Sequence, residues 1–212
     1  MLLRGGPIYA PSAPGADAML VVDGVVAWVG PSAGAAVHAD AADAVVDLAG
    51  ALVAPAFVDA HVHHTMTGLT LLGLDLRGTR NREELLDRVR QEARRTRGRP
   101  ILGHGWDESA WPDRRLPTRE ELDRASWGSA VYLSRIDVHS GLVSSALVAM
   151  VEGLAAAPGF EAEGRVTAHA HHQVRRHLTE QMPGGLRGAA QRATRAHAAG
   201  HGVAALHEAA GP

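Results

Sequence analysis

Pro55-Ala56-Phe57-Val58-Asp59-Ala60-His61-Val62-His63 is the stretch on which the fold turns. Read as a strand, it sends successive side chains to opposite faces, so Asp59, His61 and His63 share one face. The two imidazoles then leave the chain about 7 Å apart, from a rise of roughly 3.3 Å per residue. Twist and rotamer choice can bring both rings onto one ion, and Asp59 is placed to orient a ligand ring through its other nitrogen. An isolated His-x-His is by default a solvated or hydrogen-bonded pair. Here it ends an apolar strand and precedes a segment containing Gly68, which is where a strand-and-helix barrel puts its functional groups. His61 and His63 are therefore the predicted metal ligands, with Asp59 behind them.

Upstream of this strand, short apolar runs alternate with turn signals, the pattern of small antiparallel sheets. Met19-Leu20-Val21-Val22, Asp23-Gly24 and Val25-Val26-Ala27-Trp28-Val29 read as a hairpin whose Asp-Gly tip tolerates positive φ. Val45 to Leu48 and Ala51 to Val53 add strand material, so 1–54 is predicted to be part of a small β-sandwich, incomplete because its edges would stay exposed.

Downstream the period becomes helical. Asn81 and Glu84 form a capping box, Leu85, Leu86, Val89 and Ala93 share one face, and Gly98 ends the run. Ile101-Leu102 leads into Gly103-His104-Gly105-Trp106-Asp107, and a second capped helix starts at Thr118 with Glu121 three residues on. Val131 to Arg135 reads as a buried strand running into Asp137-Val138-His139. Leu142 to Met150, Glu163 to Met182 and Gly185 to Ala199 read as helices. Gly202 to Glu208 reads as a last strand that places His207 and Glu208 at its end, again the position of barrel functional groups.

Composition narrows the function classes. Hydrophobic residues make up 46% and charged residues 21% of 212, a globular balance. A formal charge of −2 advertises neither nucleic acid nor an anionic membrane as partner. The arginines between 82 and 95 are interleaved with Glu83, Glu84, Asp87 and Glu92, so they read as a solvated helix face. Cysteine is absent, which excludes disulfides, thiolate zinc sites and a thiol nucleophile. Lysine is absent too, so neither Schiff-base chemistry nor a carboxylated lysine bridge is available. Any metal must be held by imidazole and carboxylate, for which 13 histidines suffice. The cluster His169, His171, His172 and His177 has no interleaved carboxylate and lies beside Arg175 and Arg176, so a solvated helix surface is expected there. No apolar run reaches the roughly 18 residues of a membrane span, and a soluble, cytoplasmic protein is expected.

Val46-Asp47-Leu48-Ala49-Gly50 followed by Val53 to His63 resembles the opening of the amidohydrolase superfamily, in which a small β-sandwich hands over to the first barrel strand. Leu74-Asp75-Leu76-Arg77-Gly78, Gly103 to Asp107, Leu122-Asp123, Asp137-Val138-His139-Ser140 and Gly202-Val203 to His207-Glu208 are similar to the branch called amidohydrolase family 3, which includes N-substituted formamide deformylases. The resemblance runs over essentially the whole chain, and the ordered series is more specific than any one motif.

That resemblance implies a metal-activated water attacking a carbonyl or imine-type carbon, a divalent metal with zinc expected, and a small amide, formamide or cyclic amide as substrate. Carried over, His61 and His63 match the first-strand ligands, while Trp106, Asp107, His139 and His207 match positions expected around the substrate. Trp106 and His139 also have structural readings, as a packed ring and a hydrogen-bonded histidine. Glu208 is a candidate third metal ligand in place of the missing lysine, or alternatively a helix cap or ion-pair partner. The sequence departs from the pattern at Ala56, Ser144 and Ala168, where glycine, asparagine and glutamate are usual.

The implied fold is α/β, a partial (β/α)8 TIM-type barrel of about three strands, near Phe57, Val131 and Val203, spanning 55–212 with a long insertion at about 64–129. A closed barrel takes about 250 residues. The remaining ligands and the proton-shuttling aspartate are therefore expected beyond Pro212. Three readings follow: a fragment that is inactive alone, one half of a hydrolase completed by a second chain, or a non-catalytic metal-binding or interaction protein.

Overall fold

Asp23 and Gly24 both take positive φ, 51° and 77°, as a two-residue hairpin tip requires. The tip joins β2 (Ala18–Val22) to β3 (Val25–Gly30) in the antiparallel hairpin expected from sequence. The computed structural model describes residues 1–209, which divide into two units, 1–58 with 202–204 and a second comprising 59–201 and the residues from 205 on.

In the first unit, β1 (Leu2–Arg4) and β4 (Val45–Asp47) extend the hairpin into one sheet of order β3-β2-β1-β4. The β1–β4 pair is parallel and the others antiparallel. Leu2, Ala18 and Leu20 pack against Ala35 of a 3₁₀ segment, Ser32–Ala41. The expected half-sandwich is thus, among the described residues, a single four-stranded layer whose apolar side is covered by a helical segment rather than by a second sheet.

The strand that carries His61, β5 (Phe57–Val62), pairs among the described residues with Val203–Glu208. Phe57 N donates to Gly202 O at one end and Ala209 N to Val62 O at the other, so the two run in the same direction. Directly after β5 comes α1 (His64–Leu72).

The second unit is organised by a five-stranded mixed sheet. Its strands are β6 (Leu74–Asp75), β7 (Ile101–Trp106), β8 (Val131–Arg135), β9 (Ser140–Val143) and β10 (Arg165–Thr167), in the order β10-β9-β8-β7-β6. β6, β7 and β8 are parallel, and β8, β9 and β10 antiparallel. Alternation assigns the two faces. Ile101, Val131, Leu133 and Leu142 join Leu85, Leu86, Val89 and Ala93 of α2 (Arg82–Thr96) and Leu122 and Ala125 of α3 (Arg119–Ala125). Tyr132, Val143 and Val166 join Leu147 of α4 (Ser145–Met150) and Ala170 and Val174 of α5 (Ala168–Glu180). A sheet buried on both faces explains why these strands read as continuous apolar runs.

The helix ends follow their signals. Asn81 accepts from Glu84 N at 2.8 Å, and Thr118 forms a full capping box with Glu121. Glu84 does not return the bond to Asn81; its carboxylate takes Arg80 and Arg88 instead. The last helix, α6 (Gly184–Gly200), packs on α1 and leads to β11 (Val203–Glu208).

Three expectations change. The strand at Val131–Arg135 is not a third stave beside Phe57, since its neighbours are β7 and β9. Leu142 and Val143 are strand rather than helix, and Glu163–Met182 begins with β10 before α5.

Candidate metal and substrate site

His61 lies on β5 and His63 is the residue preceding α1, with φ −90° and ψ 77°. Their rings are 5.5 Å apart between centroids and nearly perpendicular, at 88°. Two imidazoles binding one zinc at about 2.0–2.1 Å in tetrahedral geometry have centroids roughly 5 Å apart, so this spacing fits two ligands of one ion. Both side chains are exposed. Asp59 has its carboxylate on the backbone N–H of His61, at 3.1 Å, so it steadies the strand end and not, as expected, a ring nitrogen. Among the described residues no cluster of three or more His, Cys, Asp or Glu converges. The donors present therefore fit two positions of a metal site and no more.

His64, passed over in the sequence, is tied into the structure more firmly than its neighbours. Its ring Nε2 lies 2.9 Å from Gln191 O, its own carbonyl accepts from Thr194 Oγ1 at 2.7 Å, and its backbone N–H donates to Glu208 Oε2 at 2.9 Å. A third histidine directly behind His-x-His was the available signal. Glu208 thus sits on the first amide of α1, with the same oxygen 3.9 Å from the His64 ring Nδ1, so the capping and ion-pair alternatives both have a geometric counterpart. His207 is exposed on β11 beside it.

The other predicted substrate residues gather at the carboxyl ends of β7 and β8. Asp107 directly follows β7, and His139 sits in the turn between β8 and β9. Arg135 organises this end, with Asp107 at 3.1 Å, Glu108 at 2.9 Å and Asp137 at 3.1 Å. Bonds from Ser109, and then the charge of Arg135, hold Asp107 below its ordinary range. Asp137 accepts from the amides of His139 and Ser140, at 2.9 and 3.2 Å, across a turn in which Val138 takes φ 56°. Burial raises the Asp137 carboxyl, but those amide bonds and Arg135 outweigh it and the net shift is downward. Arg135 had no motif to announce it.

Trp106 departs from its expected role. It is 0% exposed and donates its indole N–H to Leu133 O at 3.1 Å, so no face is left for a substrate. The histidine cluster on α5 also differs from a solvated surface. His171 is 1% exposed and bonded to the Tyr132 hydroxyl at 2.7 Å, while His172 and His169 remain exposed. Burial, reinforced by Arg175, pushes His171 down to about 4, and burial pushes Tyr132 up to about 12.

This mixed α/β architecture is that of a metal-dependent hydrolase from Pyrococcus furiosus, itself uncharacterized. The two structures superpose with a TM-score of 0.74 at 28% identity, over 97% of this chain and 43% of that one. The sequence pattern of the amidohydrolase family matches residues 44–211, and the chain belongs to that family. It is similar to the Arabidopsis thaliana protein LONG AFTER FAR-RED 3, with 31% identity over 148 residues, 68% of this chain and 25% of that protein. It is also similar to an imidazolonepropionase of Salinispora tropica, with 39% identity over 88 residues, 42% of this chain and 17% of the enzyme. The chain thus spans a quarter or less of these curated relatives and under half of the solved structure. No helix among the described residues is long and apolar enough to cross a membrane.

Proposed function

We propose that this chain carries the first metal-ligand pair of a hydrolase acting on carbon–nitrogen bonds other than peptide bonds, in a small amide, formamide or cyclic amide. In this reading β5 and β11 are neighbouring staves of a (β/α)8 barrel, and the five-stranded sheet is an insertion between them. The observation that carries it is the 5.5 Å, near-perpendicular placement of the His61 and His63 rings at the carboxyl end of β5, the end at which barrel enzymes keep their chemistry. The family membership and the Salinispora relative, whose name specifies an imidazolone-bearing substrate, support the bond class. The family 3, formamide-deformylase-like assignment rests on the motif series alone.

When bound, a divalent metal, with zinc favoured by imidazole donors, supplies Lewis acidity and an activated water. The residues of this chain do the holding and orienting. His61 and His63 provide two ligands, Asp59 fixes the strand beneath them, and Asp107, His139 and His207 are proposed to meet the substrate. Two donors leave a zinc ion half-coordinated, so the 212-residue chain by itself is proposed to turn over no amide or formamide substrate.

The test is a zinc titration followed by ¹⁵N spectra of the histidine side chains. His61 and His63 signals are expected to move together at one equivalent, and His61→Ala/His63→Ala is expected to lose that equivalent while other histidines behave as before. Unchanged zinc stoichiometry and affinity in the double variant would refute the metal reading.

A further inference from the structure

We propose that Glu208 is a positioning residue for the His61/His63 pair and not a ligand of the metal; this rests on the metal reading above. A helix start leaves its first amides without partners, and His63, which precedes α1, provides no side-chain bond to them. Glu208 fills that role from β11, a strand 144 residues away, by accepting the His64 N–H at 2.9 Å. Its negative charge lies at the positive end of the helix dipole, where it is favoured.

The same turn is held from two further directions. Ala209 N donates to Val62 O at 2.9 Å, on the residue before His63. Across α6, Gln191 O meets the His64 ring at 2.9 Å, Gln191 Nε2 donates to Thr65 Oγ1 at 3.2 Å, and Thr194 Oγ1 takes the His64 carbonyl at 2.7 Å. Residues 62, 64 and 65 are thereby fixed, and the backbone of His63 between them is fixed in turn. Its ring is left exposed with a defined direction of exit. Glu208 meanwhile does not converge with His61 and His63 into a three-donor cluster. Only Oε2 of Glu208 is engaged by the amide, and it is the absence of convergence with the two imidazoles that sets Glu208 apart from a ligand.

The two roles separate in a pair of variants, because a glutamine oxygen still accepts from an amide but does not replace an anionic ligand. In Glu208→Gln the amide-exchange protection of His64 and the zinc affinity are expected to stay within about threefold of wild type. In Glu208→Ala both are expected to fall by about tenfold or more, the range seen when groups that orient ligands are removed. Exchange is measured on the metal-free chain, so it reports the cap whether or not zinc is present. Equal loss of zinc affinity in both variants, with His64 protection intact in Glu208→Gln, would make Glu208 a ligand and overturn the proposal. Unchanged His64 protection in Glu208→Ala would overturn it as well. Should His61→Ala/His63→Ala keep wild-type zinc binding, the metal reading falls and takes this role with it, an outcome recognised by its independence of position 208.

Discussion

Replacing Gly68 by alanine tests how the histidine pair is held from behind. A Cβ at Gly68 would lie 1.9 Å from Ala190 O, 2.3 Å from its carbonyl carbon and 2.7 Å from its Cα, all backbone atoms of α6. No rotamer change relieves contact with backbone. Ordinary separations of about 3.5 Å require α1 and α6 to part by about 1 Å or more. Overpacking of this kind costs about 1–3 kcal/mol, against which alanine in a helix returns about 1 kcal/mol over glycine. Contact with three backbone atoms puts the cost at the upper end of that range, so a net loss of about 2 kcal/mol is expected. With a urea m-value of about 1–3 kcal/mol/M, the unfolding midpoint should fall by about 0.7–2 M. Gly185, in the first turn of α6, is the control, since a Cβ there meets nothing within 4 Å. Gly185→Ala should gain about 0.4–1 kcal/mol by restricting the unfolded chain. A Gly68→Ala midpoint at or above wild type would refute the close-packing account of α1 and α6, and with it the claim that α6 braces the turn carrying His63 and His64.

Trp106→Ala removes a fully buried indole and its bond to Leu133 O, and should cost about 3–5 kcal/mol in chemical denaturation; unchanged stability would return Trp106 to the surface of a pocket. His171 supplies a pH dependence. Its folded value near 4 lies below the ordinary 6.5 because it is buried, so between those values the unfolded chain binds a proton that the folded chain does not. Stability from this group is complete above about pH 6.5 and is lost as pH falls toward 4, by about 2 kcal/mol between pH 7 and 5. His171→Gln should remove that component, seen as a flatter dependence of the urea midpoint on pH, and an unaltered slope would contradict the buried, neutral histidine. Thr118→Ala, which removes one arm of the capping box on α3, should lower stability by about 1 kcal/mol in the same assay.

What could be read from the chain beforehand divides along the length scale of the signal. The hairpin at Asp23-Gly24, the cap of α2 at Asn81 and the capping box at Thr118 are local, each specified within four residues, and all three stand in the structure. β9 did not yield to the same treatment. Ser140 to Val143 is buried at every position, so it has no alternation, and Leu142 and Val143 leading into a helix look like more helix. β10 is only three residues long, paired with β9, and nothing local sets so short a strand apart from the helix that follows. The pairing of β8 with β7 and β9 rather than with β5 is a long-range choice, invisible to periodicity.

The site follows the same division with one more step. His61 and His63 were legible because they stand two residues apart, although the structure ends β5 at Val62 and leaves His63 as the residue before α1. The positions of Asp107 and His139 were legible only as motif neighbours; what brings them to one end of the sheet is Arg135, a single cation shared by three carboxylates, and Arg135 has meaning only after β7 and β8 are side by side. Glu208 shows the limit most sharply. From sequence it could be ligand, cap or ion-pair partner, because a carboxylate's oxygens serve all three. In the structure its Oε2, on a parallel neighbour of β5, accepts the backbone amide of His64 at the start of α1 and lies 3.9 Å from that residue's ring Nδ1. A carboxylate's chemistry is fixed by its type, but its assignment is fixed by which unsatisfied donor the fold leaves within reach, and here that donor is the first N–H of a helix.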